Sequence, residues 1–462
     1  MIKNLLYMLI SNFVKLASTA VIFFILARVW GVEAFGQFTY CFAMIAIVQV
    51  VLDYGFNLQV VKDISENKKK ATDIIQKSLT VKHIITFLVY IFSWLILCFY
   101  DKSSNFNMLY FLLLVSITLN SYANYFLYPS QAEEKFKIVS VVMLIYNISF
   151  VIIIGLALLF GYRTLIDVAA VFALARLVPF LICIFLIKKH YPAVQLLALR
   201  TKGSWQYFKK SLSYGILVFF SMAYFQMDTL FINHFLGTRA VGLYQAGVRI
   251  LVASLFIVDV FNSVYLPKAI NIKNNIKKLI EYQSQTTHYF SLISLAGVSI
   301  CVLFPNFITV LLYGNSYIEL ANYLPLFSLL ITFRYIGSTY GLLVTVFDAQ
   351  RLRCLLVGGA LLVNVLLSII LIPRYFLYGG LVAALITLIF LNFGYFMFSL
   401  YRVKSIYLKA DTLLVLTALI ASVFAFYFSL GGWLVALSLS LGWVAAIRKK
   451  DILFISRRLS LI

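Results

Sequence analysis

Charged residues are scarce in this sequence: they make up 12% of its 462 residues, whereas 63% are hydrophobic and the mean hydropathy is +0.98. This composition excludes a water-soluble domain, because no such domain needs so much apolar surface. Apolar stretches of about 20 residues, long enough to cross a bilayer, recur along the whole chain. A porin-like barrel would alternate polar and apolar residues instead. The sequence therefore predicts an all-α polytopic membrane protein.

Residue patterns typical of metal, phosphate or redox chemistry are also missing. The five cysteines lie singly in or beside apolar segments, without metal-type or redox spacing, and no Gly-Lys-Ser/Thr phosphate loop occurs. We therefore expect no metal site and no cofactor. Every outward connection is short, which disfavours a membrane enzyme such as an oligosaccharide polymerase or ligase. The protein is expected not to be an enzyme.

Fourteen segments are predicted to cross the membrane. The first apolar run has the position of a secretory signal, but it is of full length and lacks a small-residue cleavage site, so we expect it to remain as the first helix. Proline is expected to bend two of the segments, at Pro179 and Pro305. The segments are residues 8–30, 38–61, 83–100, 106–130, 138–161, 165–187, 211–233, 241–266, 287–312, 321–347, 354–373, 378–400, 411–429 and 432–447.

Acidic residues are far fewer than basic ones, with 16 Asp and Glu against 38 Lys and Arg and a net charge of +22. If the amino terminus is cytoplasmic, 29 of these 38 cations lie on the cytoplasmic side, five lie outside and four lie within segments. This asymmetry follows the positive-inside rule, so both termini and the loop from Lys62 to Lys82 are expected in the cytoplasm. The positive charge then faces an anionic inner leaflet, which argues against a nucleic-acid partner.

One short hinge between apolar segments occurs twice, as WGVEAFGQF at residues 30–38 and as LGTRAVGLY at residues 236–244. Each copy is expected to form a tight outward turn, in which glycine permits a close approach of backbones. The paired glycines of the two copies are Gly31 with Gly237 and Gly36 with Gly242.

The repeat extends beyond the hinge. The same shift of 206 residues places Asp53 on Asp259, and a second shift, of 217 residues, places QAEEKFK from Gln131 over DAQRLRC from Asp348. Because each copy holds six segments, the copies form a parallel repeat, which typically encloses a central cavity. We predict an amino-terminal lobe at residues 1–203, a second lobe at residues 204–408, and two further helices with a basic cytoplasmic tail at residues 409–462.

Four cations fall within predicted segments, where a charge costs about 2.5 to 3.5 kcal/mol at a helix centre on insertion scales. These residues are expected to line the cavity and attract an anionic group: Lys15, Arg176, Arg249 and Arg334. For Lys15, snorkelling toward the cytoplasm is an equal alternative. For Arg249, pairing with an acid such as Asp228 is the alternative.

Other polar residues recur on single helix faces. Asp228 is a candidate for coupling to a proton or sodium ion, because such an ion needs a carboxylate within the membrane. Asp53 and Asp259 are expected to make structural contacts. The remaining residues of these polar stripes, which we expect to face the cavity, are Asn12, Thr19, Gln49, Ser221 and Tyr224.

The hinge motif (W/L)G-x-x-A-x-G-x-(F/Y), followed by LDYGFN and a basic loop, and its partner MDTLFINHFLGTRAVGLYQAG at residues 227–247 together carry a resemblance. Over residues 1 to about 408 the chain resembles the polysaccharide transporter family, the O-antigen (lipopolysaccharide) and capsule flippases of the multidrug/oligosaccharidyl-lipid/polysaccharide exporter superfamily. The resemblance implies a flippase in the bacterial inner membrane. Its substrate is an oligosaccharide on undecaprenyl pyrophosphate, which moves from the cytoplasmic to the periplasmic leaflet without covalent change.

The same resemblance implies the partners. They are the undecaprenyl-pyrophosphate-linked glycan and membrane lipids, with H+ or Na+ and the polysaccharide polymerase machinery as further candidates. Two alternatives share the scaffold: a flippase for lipid II or another glycolipid, and an ion-coupled exporter of drugs or other small molecules. The exporter is disfavoured because the first helix carries Lys15 and no carboxylate, whereas a pyrophosphate requires cations.

Overall fold

The computed structural model describes residues 2–99, 104–197, 199, 203–403, 420–424, 426–427, 435 and 438–442. Every regular element in these ranges is helical, which confirms the predicted class. Two short 3-10 helices cover Lys68–Lys70 and Asn315–Asn322. The α-helices are α1 (Ile2–Asp53), α2 (Phe56–Glu66), α3 (Ala71–Phe99), α4 (Ser104–Ala132), α5 (Phe136–Leu159), α6 (Leu165–His190), α7 (Ser204–Leu236), α8 (Thr238–Asn271), α9 (Ile276–Leu303), α10 (Pro305–Tyr313), α11 (Leu324–Val346) and α12 (Gln350–Val403).

Ten helical stretches in the described part of the chain are long and apolar enough to cross a membrane. Two of them contain two predicted segments each, because α1 is kinked at Gly31 and α12 is kinked at Phe376. The first twelve predicted segments therefore all correspond to helices. The last two, at 411–429 and 432–447, lie mostly outside the described residues. Helices suit this environment because they satisfy every interior backbone hydrogen bond within the segment.

Several helix ends differ from the predicted ones. Helices α3 and α9 begin about three turns earlier than their apolar segments, since their first turns are polar and hydropathy alone does not detect them. The second predicted segment breaks at Tyr54 and Gly55, which both have positive φ. Pro179 lies inside α6 as predicted, but Pro305 begins α10 instead of bending a helix. A first-turn position suits proline because the backbone nitrogen there donates no hydrogen bond within the helix.

The repeated hinge adopts one backbone conformation in both copies. Gly31 has φ 73° and ψ −176°, and Gly237 has φ 82° and ψ −177°. A φ in this range is strained for any residue with a side chain, so glycine is required at the corner. The hinge equivalence that the sequence predicts is confirmed at the level of individual dihedral angles.

The second predicted shift of the repeat, by 217 residues, is wrong by three residues at the turn after α4. Glu134, after α4, and Asp348, after α11, both have left-handed backbones, with φ 60° and 55°. The next amides make matching hydrogen bonds, from Lys135 to the Ser130 carbonyl and from Ala349 to the Val344 carbonyl, both at 2.9 Å. The turns therefore pair Glu134 with Asp348, three residues away from the predicted partner. A slip of three residues keeps nearly the same helix face, so an apolar sequence pattern hardly opposes it.

The chain forms two compact units, Met1–Gly242 and Leu243–Ile462. In the first unit α4 packs along α6, while α1 packs on α5 and α7. The boundary between the two units therefore follows α7, at Gly242. The predicted division into lobes at residue 203 stays a prediction. In the second unit α11 packs on α9 and α12. Its core includes Val423, Val435 and Leu439, from the short described pieces near the carboxyl end, against Leu295 and Val298 of α9.

Candidate functional site

The first arm of α1, before Gly31, presents Lys15 on its surface. The Lys15 side chain is exposed, and Thr19 Oγ1 donates a hydrogen bond to the Lys15 carbonyl oxygen at 2.8 Å. Ser11, one turn earlier, is buried, and its Oγ donates to the Ser140 carbonyl of α5 at 3.5 Å. The predicted polar stripe therefore divides between a side packed on α5 and an open side at Lys15. The side chain of Asn12 lies outside the described residues.

Arg176 is held inside the first unit by α4 and α5. Only 7% of the residue is exposed, and its Nη1 donates to the Ser116 carbonyl of α4 at 3.4 Å. Its guanidinium carbon lies 5.7 Å from the centre of the Phe150 ring of α5. The Arg176 Nε is buried and has no hydrogen-bond partner among the described residues. Since all five guanidinium hydrogens are donors, Arg176 retains donors for a further acceptor.

Lys15 and Arg176 lie close enough for their positive charges to interact. Within the described part of the chain, neither forms an ion pair with a carboxylate. Two neighbouring cations repel each other, and the buried one has lost most of its hydration. An anion bound near both would relieve these costs. The fold thus brings two of the four predicted cations together at a position suited to an anion.

The other two predicted cations belong to the second unit, and each lies beside a tyrosine. Arg249 of α8 is within electrostatic range of Tyr313, and the Tyr313 hydroxyl donates to the Ala246 carbonyl at 2.7 Å. Arg334 of α11, which is half-buried, is within range of Tyr395 of α12. A tyrosine hydroxyl can accept a hydrogen bond from a guanidinium, so each arginine has a neutral polar group within range.

The polar residues of α7 are divided in the same way as those of α1. Asp228 and Tyr224 are buried, whereas Ser221 is exposed. A carboxylate is therefore enclosed in the second half of this helix, as an ion-coupling site requires. The assignment of Asp228 to coupling stays a prediction.

Asp53, at the end of α1, forms an ion pair with a lysine that the charge pattern assigns to a loop. Lys82 Nζ lies 3.7 Å from Asp53 Oδ1 and donates to Ser121 Oγ at 2.6 Å and to the Leu52 carbonyl at 3.1 Å. Ser121 also donates to Asp53. The Lys82 side chain is 1% exposed and that of Asp53 is 26% exposed. The prediction of Lys82 as a loop cation was wrong, because α3 begins early enough to bury it. Three rings surround the ammonium: Phe56, Tyr122 and Tyr125.

The repeat equivalents Asp53 and Asp259 have different surroundings. Gln49, one turn before Asp53, donates from Nε2 to the Asp53 carboxylate at 3.5 Å. Asp259 is exposed, and it forms no ion pair with any described residue. At the same shift of 206 residues Lys82 falls on His288, which is buried. Asp53 therefore has the contacts of a structural residue, while the structural role of Asp259 stays a prediction.

A further carboxylate, Asp63 of α2, has contacts that the sequence motifs do not indicate. Asp63 is buried and accepts hydrogen bonds from Gln59 Nε2 at 2.7 Å and from Lys210 Nζ of α7 at 2.6 Å. The one local signal is the four-residue spacing of Gln59 and Asp63, which matches that of Gln49 and Asp53. The partner on α7 is distant in sequence, so only the fold reveals the ion pair that attaches α2 to α7.

The sequence matches one family model, and several solved structures share the fold. The model of a family described as polysaccharide biosynthesis protein matches residues 1–273. The structure of the lipid II flippase MurJ in an inward closed conformation superimposes with a TM-score of 0.72 and 16% identity, over 99% of this chain and 99% of that one. An inward-facing multidrug resistance MATE family transporter of the MOP superfamily gives a TM-score of 0.67 at 16% identity, over 83% and 94% of the two chains.

A MOP superfamily transporter from Pyrococcus furiosus Vc1 (DSM3638) gives a TM-score of 0.63 at 14% identity, over 87% of this chain and 96% of that one. No curated protein matches the sequence at a significant level. At such identities the structural likeness shows the fold, and the substrate must be argued from the residues of this chain.

Proposed function

Because the chain belongs to the polysaccharide biosynthesis protein family, we propose that it is a flippase for an undecaprenyl-pyrophosphate-linked oligosaccharide of O-antigen or capsule type. The substrate crosses from the cytoplasmic to the periplasmic leaflet of the bacterial inner membrane by alternating access. No bond forms or breaks, so the protein acts as a transporter and not as an enzyme. The observation that carries the proposal is the neighbouring pair of Lys15 and Arg176, which has no carboxylate partner among the described residues.

The two cations suit a pyrophosphate in complementary ways. Lys15 is exposed and offers a mobile ammonium, whereas Arg176 is held by Ser116 and Phe150 and offers a planar guanidinium. Charge-assisted hydrogen bonds to phosphate oxygens are strong when the surroundings exclude water. Lys15 thus meets the headgroup first, and Arg176 supports the positive potential behind it. In the second unit, Arg249 and Arg334 serve the same headgroup at a different stage of transport.

Transport against a gradient requires an energy source, such as the movement of a coupling ion. We assign the binding of that ion to the carboxylate of Asp228. Asp228 is buried in α7, where exchange of a proton or a sodium ion changes the charge of the helix. Replacement of Asp228 by Asn is expected to abolish the dependence of transport on an ion gradient.

Lipid II or another glycolipid is the second candidate substrate. The likeness to a lipid II flippase over 99% of both chains favours it, and the transport mechanism is the same. The fold also resembles multidrug transporters, but two neighbouring cations that pair with no described carboxylate oppose a cationic drug.

Deletion of the gene tests the function directly. We expect a lipid-linked oligosaccharide to accumulate on the cytoplasmic leaflet, and mass spectrometry of the extracted lipids identifies its sugars. Accumulation of lipid II would establish the second candidate instead. If neither lipid accumulates and the cells become sensitive to drugs, the flippase proposal is wrong.

The orientation of the chain and its division into lobes are parts of the same proposal. Both termini lie in the cytoplasm, and the lobes comprise residues 1–203 and 204–408. A cysteine at the exposed position Lys69 is expected to react with a membrane-impermeant maleimide only after the cells are opened. Labelling in intact cells would reverse the orientation.

A further inference from the structure

An apolar groove opens on the first unit between α1, α3 and α7. Its volume is about 390 Å³, and its walls include Val51 of α1, Leu88 and Phe92 of α3, and Phe208 of α7. Leu88 and Phe92 form an exposed rim, with 68% of Phe92 accessible. Along α3 the groove extends from Ile85 to Ile96, about 16 Å at the rise of an α-helix. This length is about half the hydrocarbon thickness of a bilayer.

The walls offer almost nothing to a polar ligand. The hydroxyls of Ser93 and Tyr110, which line the groove, lie 3.3 Å apart and hydrogen-bond each other. The other lining side chains are aliphatic or aromatic, apart from the hydroxyl of Tyr54. A hydrocarbon chain is therefore the ligand that these walls suit, because they offer van der Waals contacts and almost no hydrogen bonds.

One end of the groove carries aromatic rings and a cation. The Tyr54 ring stacks on Phe208 with centroids 4.8 Å apart, and Phe208 stacks on Trp205 at 5.2 Å. Lys209 Nζ lies 5.4 Å from the centre of the Trp205 ring, and both of these residues are exposed. Exposed tryptophan beside lysine is typical of the level of lipid headgroups. An anionic headgroup at this end meets an available positive charge.

We propose that this groove binds the isoprenoid chain of the lipid-linked substrate while the phosphate group lies at Lys209. The inference rests on the proposed function and adds a second binding site to it. Charge and shape agree on a single occupant: an anionic head at Lys209 and an apolar chain between Val51 and Phe92. The groove is lined by the second arm of α1, after Gly31, and by the start of α7, so it is separate from the position of Lys15 on the first arm.

A photoreactive side chain in the full-length protein tests the groove. Benzophenone-alanine replaces Leu88, which lines the groove, or Phe87, which is similarly exposed and does not line it. The protein is reconstituted in vesicles of phosphatidylethanolamine and phosphatidylglycerol that contain radiolabelled undecaprenyl phosphate. We expect labelling at position 88 to exceed that at position 87 by about fivefold or more, since only the groove retains the chain. Equal labelling at the two positions would overturn the proposal.

Competition and substitution identify the occupant. Excess unlabelled undecaprenyl phosphate should remove the label at position 88, whereas the same excess of dioleoyl phosphatidic acid should not. Equal competition by phosphatidic acid would mean that an ordinary lipid fills the groove, and the proposal would be rejected. Lys209→Ala and the groove-filling Val51→Trp should each lower labelling several-fold, while Ile84→Trp, exposed on α3 outside the groove, leaves it unchanged.

The probe carries no sugar, so its result is independent of the glycan. Selective labelling without accumulation of a lipid-linked glycan in the deletion strain would support the groove and refute the proposed substrate. Accumulation of the glycan without selective labelling would refute the groove alone.

Discussion

Gly36 and Gly242 face each other with no space for a side chain between them. A β-carbon on Gly36 would lie 2.8 Å from the Gly242 nitrogen and would overlap the carbonyl oxygen of Thr238. A β-carbon on Gly242 would overlap the carbonyl oxygen of Val32. The two copies of the hinge therefore pack directly on each other, at the positions that the sequence repeat pairs. Backbones approach this closely only where both residues lack a β-carbon.

Replacement of either glycine by alanine is expected to separate the two hinges. Gly36→Ala and Gly242→Ala should each destabilise the protein by about 1 to 3 kcal/mol, as overpacked sites do. Thermal unfolding in detergent and glycan export in cells measure the effect. Gly155→Ala is the control, because that glycine lies in α5 with open space around it. If both hinge variants unfold at the wild-type temperature, the hinges do not pack in this way.

Removal of the buried ammonium of Lys82 should be strongly destabilising. Lys82→Met leaves Asp53 and Ser121 without their shared partner, and breaking such a pair costs about 3 to 5 kcal/mol. The double variant with Asp53→Asn should recover much of this loss, because no unpaired charge remains. Unfolding of the two single variants and the double variant gives the coupling energy. Lys69→Met, at an exposed position, should behave as wild type. Additive single effects would show that the pair is not coupled.

Transport should depend on the cation pair of the first unit. Arg176→Ala and Lys15→Ala should each lower glycan export by about tenfold or more while the protein remains in the membrane, because the headgroup loses a charge-assisted hydrogen bond. Arg176→Lys should restore part of the activity, since it keeps the charge and loses the planar fork. Glycan export and membrane protein levels are measured together. Full activity of both alanine variants would exclude the pair as the headgroup site. Their disappearance from the membrane would indicate a structural role.

The contacts of Glu133, between α4 and α5, lead us to expect that the stability of the protein depends on pH. Burial alone would raise the pKa of Glu133, but hydrogen bonds from Lys135 and Tyr191 outweigh it and lower the pKa. Lys135 Nζ and the Tyr191 hydroxyl each lie 2.6 Å from a carboxylate oxygen. A lowered pKa in the folded state stabilises the protein above the unfolded value of about 4.3, and this stabilisation disappears as the pH falls through the folded value.

The variant Glu133→Gln should therefore be less stable than wild type at neutral pH, by up to about 1 kcal/mol for a partly exposed pair. The difference should shrink as the pH falls below the unfolded value of about 4.3. Unfolding midpoints across this range measure it, with Glu134→Gln, an exposed neighbour, as the control. A difference that does not change with pH would show that the carboxylate charge is irrelevant.

The local pattern of the chain was enough to predict the fold class, the ten long apolar helical stretches and the hinge. Apolar length predicts a membrane helix regardless of its neighbours, and a glycine corner such as Gly31 needs only its own backbone. The same reasoning misplaced the starts of α3 and α9, since hydropathy responds to lipid contact and not to helical hydrogen bonds. It also paired Gln131 with Asp348, whereas the backbone conformations pair Glu134 with Asp348.

For the candidate site, the sequence by itself placed four cations, Lys15 and Arg176 among them, within helices, because a cation inside an apolar run is apparent from the sequence alone. It did not place Lys82, which follows the polar first turns of α3. Only the tertiary structure decided which of these charges meet. Lys15 and Arg176 are on separate helices, and their charges come within range of each other only when α1, α4, α5 and α6 pack together. Lys82 gains Asp53 and Ser121 from two other helices. Charge interactions depend on distance through space and on burial, and neither quantity is contained in spacing along the chain.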